Sequence, residues 1–318
     1  MRNGVLIALV AALVTAGTAA APARAETAGA ATTATASAAT TATTSATTTA
    51  SGRGPSVTAR EAFLVDTTTG TVQFAKRETR RVPIASLTKV MTAYVVRRQA
   101  RLDDVVTITD ADVRHAVSGG ATTAGLRPGE RLTVRDLIYG LMLPSGADAA
   151  HALARRYGPG TTRFVARMND AARRLGLRDT RYANADGLPS KGYSTARDQA
   201  ALTLAALRDP VIAAVARTPT RVVGKTALHR RHVWRNTNDL LADGAVGLKT
   251  GFTNQAGYCL SFAAVVDGRT YVGVVLGERG DKARFATARR LLDWAAEEAA
   301  EEAAEEAGGE PVEGVTLP

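Results

Sequence analysis

The apolar pattern of this chain changes period twice, and that change constrains the fold more than any other feature of the sequence. Ala62-Phe63-Leu64-Val65 and Thr71-Val72-Gln73-Phe74 are short β-forming runs separated by Asp66-Thr67-Thr68-Thr69-Gly70, which reads as a hairpin. From Leu87 the period is helical, with apolar residues at 87, 90, 91, 94 and 95, and helical patterns follow at about 134–142, 147–157, 161–175 and 195–207. Strands then return as Tyr258 to Val266 and Thr270 to Leu276, joined through Asp267-Gly268. A last helix begins near Lys282 and offers Phe285, Ala288, Leu291 and Leu292 to that sheet. Strands at both ends with helices between predict an α+β fold, in which an antiparallel sheet made from the two termini is covered by helices and accompanied by a central helical lobe.

The large apolar residues of this pattern bound one folded body from Thr58 to Trp294. Before it, Met1–Ala25 has a cation at Arg2, an apolar run from Val5 to Val14 and a small-residue exit at Ala23-Arg24-Ala25, the layout of a secretory signal cleaved after Ala25. The run is too short for a transmembrane anchor, so none is expected after cleavage. Residues 26–57 are almost wholly Ala, Thr, Ser and Gly and read as a disordered spacer, either a stalk or a passive leftover. Residues 295–318 form an acidic Ala/Glu tail, a solvated helical extension with only alanine on any apolar face. Residues 26–292 hold 38 bases against 21 acids, a net charge of +17 that favours anionic partners. Without a basic helix or an aromatic platform, this charge does not by itself indicate nucleic acid, and none is expected as a partner.

Several chemistries are excluded cheaply. The single cysteine, Cys259, rules out a disulfide within the chain and any CxxC site, and its apolar setting reads as a buried small hydrophobe. There is no His-Glu-x-x-His and no Gly-x-Ser-x-Gly elbow, and Gly224-Lys225-Thr226 lacks the earlier glycine of a P-loop. His115, His151, His229 and His232 are scattered in polar surroundings, so no metal and no cofactor is expected.

Three segments remain. Ser86-Leu87-Thr88-Lys89 puts a serine at the start of a helical pattern, with a lysine one turn on that could take its proton if desolvated. A capped amphipathic helix would look the same, because both residues lie opposite the 87/90/91/94 stripe. The chain has six lysines among 40 basic residues, and lysine, unlike arginine, can serve as a base, which favours the chemical reading of Lys89. Gly247-Leu248-Lys249-Thr250-Gly251-Phe252-Thr253 can present a cation and a hydroxyl on an edge strand to a substrate carboxylate, or can be a plain strand with a turn glycine. Leu143-Pro144-Ser145-Gly146-Ala147-Asp148 places Ser145 in a turn between helices, where it could equally be an N-cap.

The order Ser-x-x-Lys, a turn serine about 55 residues later, then Lys-Thr-Gly on a strand about 100 later is the order of class A β-lactamases and penicillin-binding proteins. The segments Arg81–Lys89, Leu141–Ala150, Phe164–Asn169, Asn236-Thr237-Asn238 and Gly247–Gly251 together resemble D-alanyl-D-alanine carboxypeptidases of the low-molecular-mass penicillin-binding class. The resemblance spans Thr58 to Trp294 and implies the β-lactamase/DD-peptidase-like fold. It implies that Ser86 is the acylated nucleophile, Lys89 its general base and Ser145 a proton relay. It further implies that Lys249 and Thr250 hold the terminal carboxylate of a D-Ala-D-Ala stem beside Gly251, and that the N–H groups of Ser86 and Phe252 form an oxyanion hole. Arg284 falls where such enzymes carry a second carboxylate partner. The implied partners are peptidoglycan stem peptides and β-lactam antibiotics, and the implied location is secreted and associated with the cell wall.

Two departures from the family pattern stand out. The middle motif usually ends in Asn, and here that position is Ala147, which is expected to leave room beside Ser145. Many relatives also add a β-rich domain and an amphipathic membrane helix, where this chain has its acidic tail. A β-lactamase is the rival within the fold, but no Glu-x-x-Leu-Asn segment lies between Ser145 and Lys249. A non-catalytic wall-binding protein, motivated by Ala147, and a polyanion-binding module, motivated by the charge, are the rivals outside it.

Overall fold

The computed structural model describes residues 54–308. The expected signal segment, most of the expected spacer and the tail beyond residue 308 lie outside the described residues. In chain order the elements are β1 (Glu61–Asp66), β2 (Val72–Lys76), a 3-10 turn (Ala85–Leu87), α1 (Thr88–Arg97), β3 (Val105–Thr107), α2 (Asp110–Ser118), β4 (Arg131–Thr133), α3 (Val134–Met142), α4 (Ala147–Tyr157), α5 (Thr161–Arg174), α6 (Ala196–Leu207), α7 (Pro210–Ala216), β5 (Thr220–Val223), β6 (His232–Arg235), a second 3-10 turn (Asp239–Asp243), β7 (Val246–Thr253), β8 (Gly257–Val266), β9 (Arg269–Glu278) and α8 (Asp281–Gly308).

The five-stranded sheet has the order β2-β1-β9-β8-β7 and every pairing is antiparallel, so the two ends of the chain meet at β1 and β9. Phe63 faces Val274 and Leu64 faces Gly273 across that seam. Because side chains alternate along a strand, each strand feeds two cores. Ala62, Leu64, Leu260, Phe262, Tyr271 and Val275 pack under α8 with Phe285, Ala288 and Leu291. Phe63, Cys259, Val272, Val274 and Leu276 face the helical lobe on the other side. The expected α+β architecture and the four long helical patterns are present at the expected positions.

The structure adds elements the sequence pattern did not reveal. α2 buries only Asp112 and Ala116, so it has no apolar stripe, and it is marked instead by a capping box in which Thr109 and Asp112 bond each other's backbone N–H. β3 and β4 are three residues each, below the length at which alternation can be read. At the sequence boundary of the body, Val57 is buried and its carbonyl accepts from Lys76 Nζ at 2.7 Å, so the ordered body takes in the last residue assigned to the spacer. At the other boundary α8 runs unbroken past Trp294, with Ala295 fully buried and Arg269 Nη1 3.0 Å from Glu302 Oε2. Among the described residues no single helix is long and apolar enough to cross a membrane.

Candidate active site

A cleft of about 420 Å³ runs between the edge strand β7 and the helical lobe. Ser86 occupies the middle of the 3-10 turn that precedes α1, and Ala85 just before it has φ +48°. That left-handed conformation costs an alanine on the order of 1 kcal/mol or more, a strain of the sort that accumulates where a side chain must be aimed. Two glycines allow backbone to close on the turn. A Cβ at Gly251 of β7 would stand 3.0 Å from Ser86 N and from Leu87 Cδ1, and one at Gly187 (φ +82°) would stand 1.8 Å from the Ala85 carbonyl oxygen. Strand and loop therefore clamp the backbone at Ser86 from two sides, with no room for a side chain at Gly187 and only a tight fit for one at Gly251.

The alternative reading of Ser86-Leu87-Thr88-Lys89 as the start of an ordinary capped amphipathic helix does not match the structure. Residues 88–96 of α1 are all buried, and Lys89 is 2% exposed. The turn has no side-chain cap, and the Ser86 hydroxyl instead accepts from Lys89 Nζ at 3.0 Å. Nζ also donates to the carbonyl of Asp186 at 2.7 Å. Burial pushes the Lys89 ammonium down to about 8, against the opposing pull of the Asp186 and Asp148 carboxylates.

Ser145 is likewise not a cap. The N-cap of α4 is Gly146, while Ser145 sits before it with φ +63°, and its carbonyl accepts from Thr122 Oγ1 at 3.0 Å. Its hydroxyl is buried without a hydrogen-bond partner and belongs to the cleft wall. Ala147, by contrast, has no exposed surface and does not line the cleft, so the room expected beside Ser145 at this position is absent.

On β7, Lys249 is fully enclosed behind the cleft wall and its Nζ donates to the Thr250 carbonyl at 3.0 Å. Burial and the charges of Lys89 and Arg284 push its pKa well below the ordinary lysine value. The Thr250 hydroxyl lies 2.6 Å from that of Thr237. Phe252 is half exposed at the rim and stacks on Tyr258 with ring centres 4.3 Å apart. Arg284 lines the same cleft from α8, with Nη1 donating to the carbonyls of Gly251 at 3.1 Å and Cys259 at 3.4 Å and Nη2 paired with Asp281. It thus braces the edge of the sheet while placing positive charge on the cleft wall. Cys259 is buried, and burial pushes its thiol up to about 11, which keeps it an inert hydrophobe.

The cleft therefore unites Ser86, Lys89, Ser145, Thr250, Gly251, Phe252 and Arg284, with Lys249 just behind them. Sequence reasoning missed three contributors. Asp186 supplies the carbonyl that holds Lys89, and the Asn184-Ala185-Asp186-Gly187 turn was its available signal. Thr237 belongs to the Asn236-Thr237-Asn238 motif but had no role until its hydroxyl was seen against Thr250. Asp148 is buried and accepts from the backbone N–H of Ala124 and Leu126, which fixes the loop bearing Thr122. The histidines are also not scattered: His115 stacks on His151 at 4.5 Å, and His232 stacks on Trp234 at 5.2 Å.

Comparison with known proteins agrees with this geometry. The profile of the S11 peptidases, described as D-alanyl-D-alanine carboxypeptidase, matches residues 42–280. A D-alanyl-D-alanine carboxypeptidase of Streptomyces sp. strain K15 is 37% identical over 255 residues, covering 76% of this chain and 88% of that protein. The D-alanyl-D-alanine carboxypeptidase DacD of Salmonella typhimurium is 37% identical over 254 residues, and the match takes in 76% of this chain but only 64% of the relative. The crystal structure of the Streptomyces K15 DD-transpeptidase superposes with a TM-score of 0.73 at 38% identity, covering 76% of this chain and 98% of that one. The chain belongs to the D-alanyl-D-alanine carboxypeptidase family of serine peptidases.

Proposed function

We propose that the protein is an exported enzyme that removes the terminal D-alanine of peptidoglycan stem peptides through an acyl-enzyme on Ser86, and that β-lactams acylate the same serine. The observation that carries this reading is the wholly buried Lys89 with its Nζ 3.0 Å from Ser86 Oγ. A lysine pushed down to about 8 is substantially neutral in mildly alkaline water and can accept the hydroxyl proton.

In this mechanism Ser86 Oγ attacks the carbonyl of the penultimate D-alanine as Lys89 takes its proton. The oxyanion is received by the N–H groups of Ser86, which packs against Gly251, and of Phe252, the next residue on β7. When the C–N bond breaks, a proton returned through the unpaired Ser145 hydroxyl goes to the leaving amine. Water then adds to the ester with Lys89 as base, releasing the shortened peptide and the free serine. The substrate's terminal carboxylate sits against Thr250, where Lys249 and Arg284 supply positive charge, and its arrival restores the proton that burial disfavours on Lys249.

A β-lactamase role has little support, because the only carboxylate among the cleft's described lining residues is Asp186, whose oxygens are engaged by His115 and the Leu188 N–H. Export rests on the Met1–Ala25 segment and the wall location on the substrate. Incubation with a D-Ala-D-Ala pentapeptide, followed by mass spectrometry, should show loss of one alanine, and a labelled β-lactam should map to Ser86. An adduct on Ser145, or none on folded protein, would falsify the assignment. The solved Streptomyces K15 relative is a DD-transpeptidase, so adding an acceptor amine tests whether the acyl group also passes to nitrogen.

A further inference from the structure

Behind Lys89, away from the cleft, a second cavity of about 240 Å³ opens between α2, α4, α5 and the loop at 183–186. The mechanism above makes no use of it. Among the described residues Asp186 alone borders both spaces. On the cleft side its carbonyl accepts from Lys89 Nζ at 2.7 Å, and on the far side its Oδ2 lies 2.5 Å from His115 Nε2. His115 in turn stacks on His151, whose Nδ1 is 2.7 Å from Asp112 Oδ1.

We propose that Asp186 and His115 are positioning residues for Lys89: Asp186 holds Nζ toward Ser86 through its carbonyl, and His115 binds the Asp186 carboxylate and offsets its charge at Nζ. This rests on the reading of Lys89 as general base. The turn needs neither link for its own shape. Asn184 Nδ2 donates to the Leu188 carbonyl, Asn184 Oδ1 accepts from Gly187 N, Asp186 Oδ1 accepts from Leu188 N, and Thr92 Oγ1 donates to the Ala185 carbonyl. None of these uses Asp186 Oδ2, which is left for His115 alone.

The charges around the pair make the function necessary. A buried carboxylate facing Lys89 without a counter-charge favours the protonated amine, which is the wrong state for a base. His115 faces Asp186 on the loop, Asp112 on its own helix, His151 with Arg155 beyond it on α4, and Lys89 on α1, while α5 contributes only Thr161, Thr162 and Val165. Lys89 faces Asp186, Asp148 of α4 and Lys249 of β7. The hydrogen bond to Asp186 raises the pKa of His115 against the effect of its burial, so this contact favours the imidazolium.

The test is the second-order acylation rate with a chromogenic cephalosporin as a function of pH, for the full chain and its variants. In the wild type the rate rises through about pH 8. Asp186→Asn keeps the carbonyl and an acceptor for Leu188 N but loses the charge, so its rising limb moves to lower pH. His115→Gln keeps a donor and loses the imidazolium, so its limb moves to higher pH, with a rate at neutral pH about threefold lower. Because His115 acts through Asp186, adding His115→Gln to Asp186→Asn leaves the limb of the single Asp186 variant in place. Limbs that do not move, or that move in the same direction, overturn the proposal, since a structural role lowers the plateau without opposing shifts. Lys89→Arg separates the two layers: if it acylates normally, the base assignment fails. If it is inert while the limbs stay fixed, only the positioning role fails.

Discussion

The hydroxyls of Thr237 and Thr250 lie 2.6 Å apart, joining the segment after β6 to the edge strand β7. The Thr237 backbone N–H also donates to the Leu143 carbonyl at 3.3 Å, so the same residue links the strand to the turn that carries Ser145. Thr237→Val keeps the shape and removes the hydrogen bond that orients the Thr250 hydroxyl. Steady-state kinetics with a D-Ala-D-Ala peptide should show KM raised about three- to tenfold, the equivalent of one neutral hydrogen bond, with a smaller change in kcat.

Lys89→Arg retains a cation and cannot supply a neutral base, so acylation should be lost while the thermal transition persists. In the wild type, burial is the leading cause that lowers the Lys89 pKa to about 8. The neutral fraction, and with it the acylation rate, therefore grows as pH rises through that value. A rate independent of pH between about 6 and 9 would contradict the assignment.

Ser145→Ala removes a hydroxyl that has no partner, so it should leave stability within about 0.5 kcal/mol while slowing acylation by about a hundredfold. Ser145→Gly additionally relieves the φ of +63° and should raise stability by about 1 kcal/mol. Denaturant unfolding and the acylation rate, measured on the same preparations, separate the two effects.

Ala147→Asn places a longer polar side chain where alanine has no exposed surface. The expected cost is about 1–3 kcal/mol of stability from overpacking and an unpaired amide, with slower acylation as the turn at Ser145 shifts. A gain in rate with both a β-lactam and a peptide would show that the amide reaches the cleft after all.

Ending the chain after Glu302 should leave the melting temperature within a degree or so, because the Arg269–Glu302 pair is kept and residues 303–305 beyond it are exposed. Ending it after Trp294 removes the buried Ala295 and the carbonyl that accepts from the Tyr271 hydroxyl at 3.4 Å, and should lower stability by about 1–2 kcal/mol.

The parts of this fold that can be read from the sequence are those with a long apolar period. The β8–β9 hairpin and helices α3 to α6 announce themselves because each buries a full face, whereas α2 and the two small two-stranded sheets bury too little to leave a pattern. The site residues Ser86, Lys89, Ser145 and Lys249 stood out through residue type and order. Their environment did not. That α1 has no solvated side, that Ala147 is enclosed and that Asp186 and Thr237 complete the cleft all depend on contacts between segments far apart in the chain, such as Lys89 with Asp186 and Thr237 with Thr250.

The enclosure of α1 bears on how the enzyme fails as well as how it works. A catalytic group on a surface loop can be displaced by local fluctuation while the rest of the protein stays folded. Here the helix carrying Lys89 is surrounded on every side, and the turn carrying Ser86 is pinned between Gly187 and Gly251. Amide exchange along residues 88–96 should therefore follow the opening of the whole domain, and loss of activity on heating should coincide with unfolding rather than precede it. Selection that adjusts turnover is thereby directed to the rim and the loops, because any change at this helix is felt first as a change in whether the protein folds.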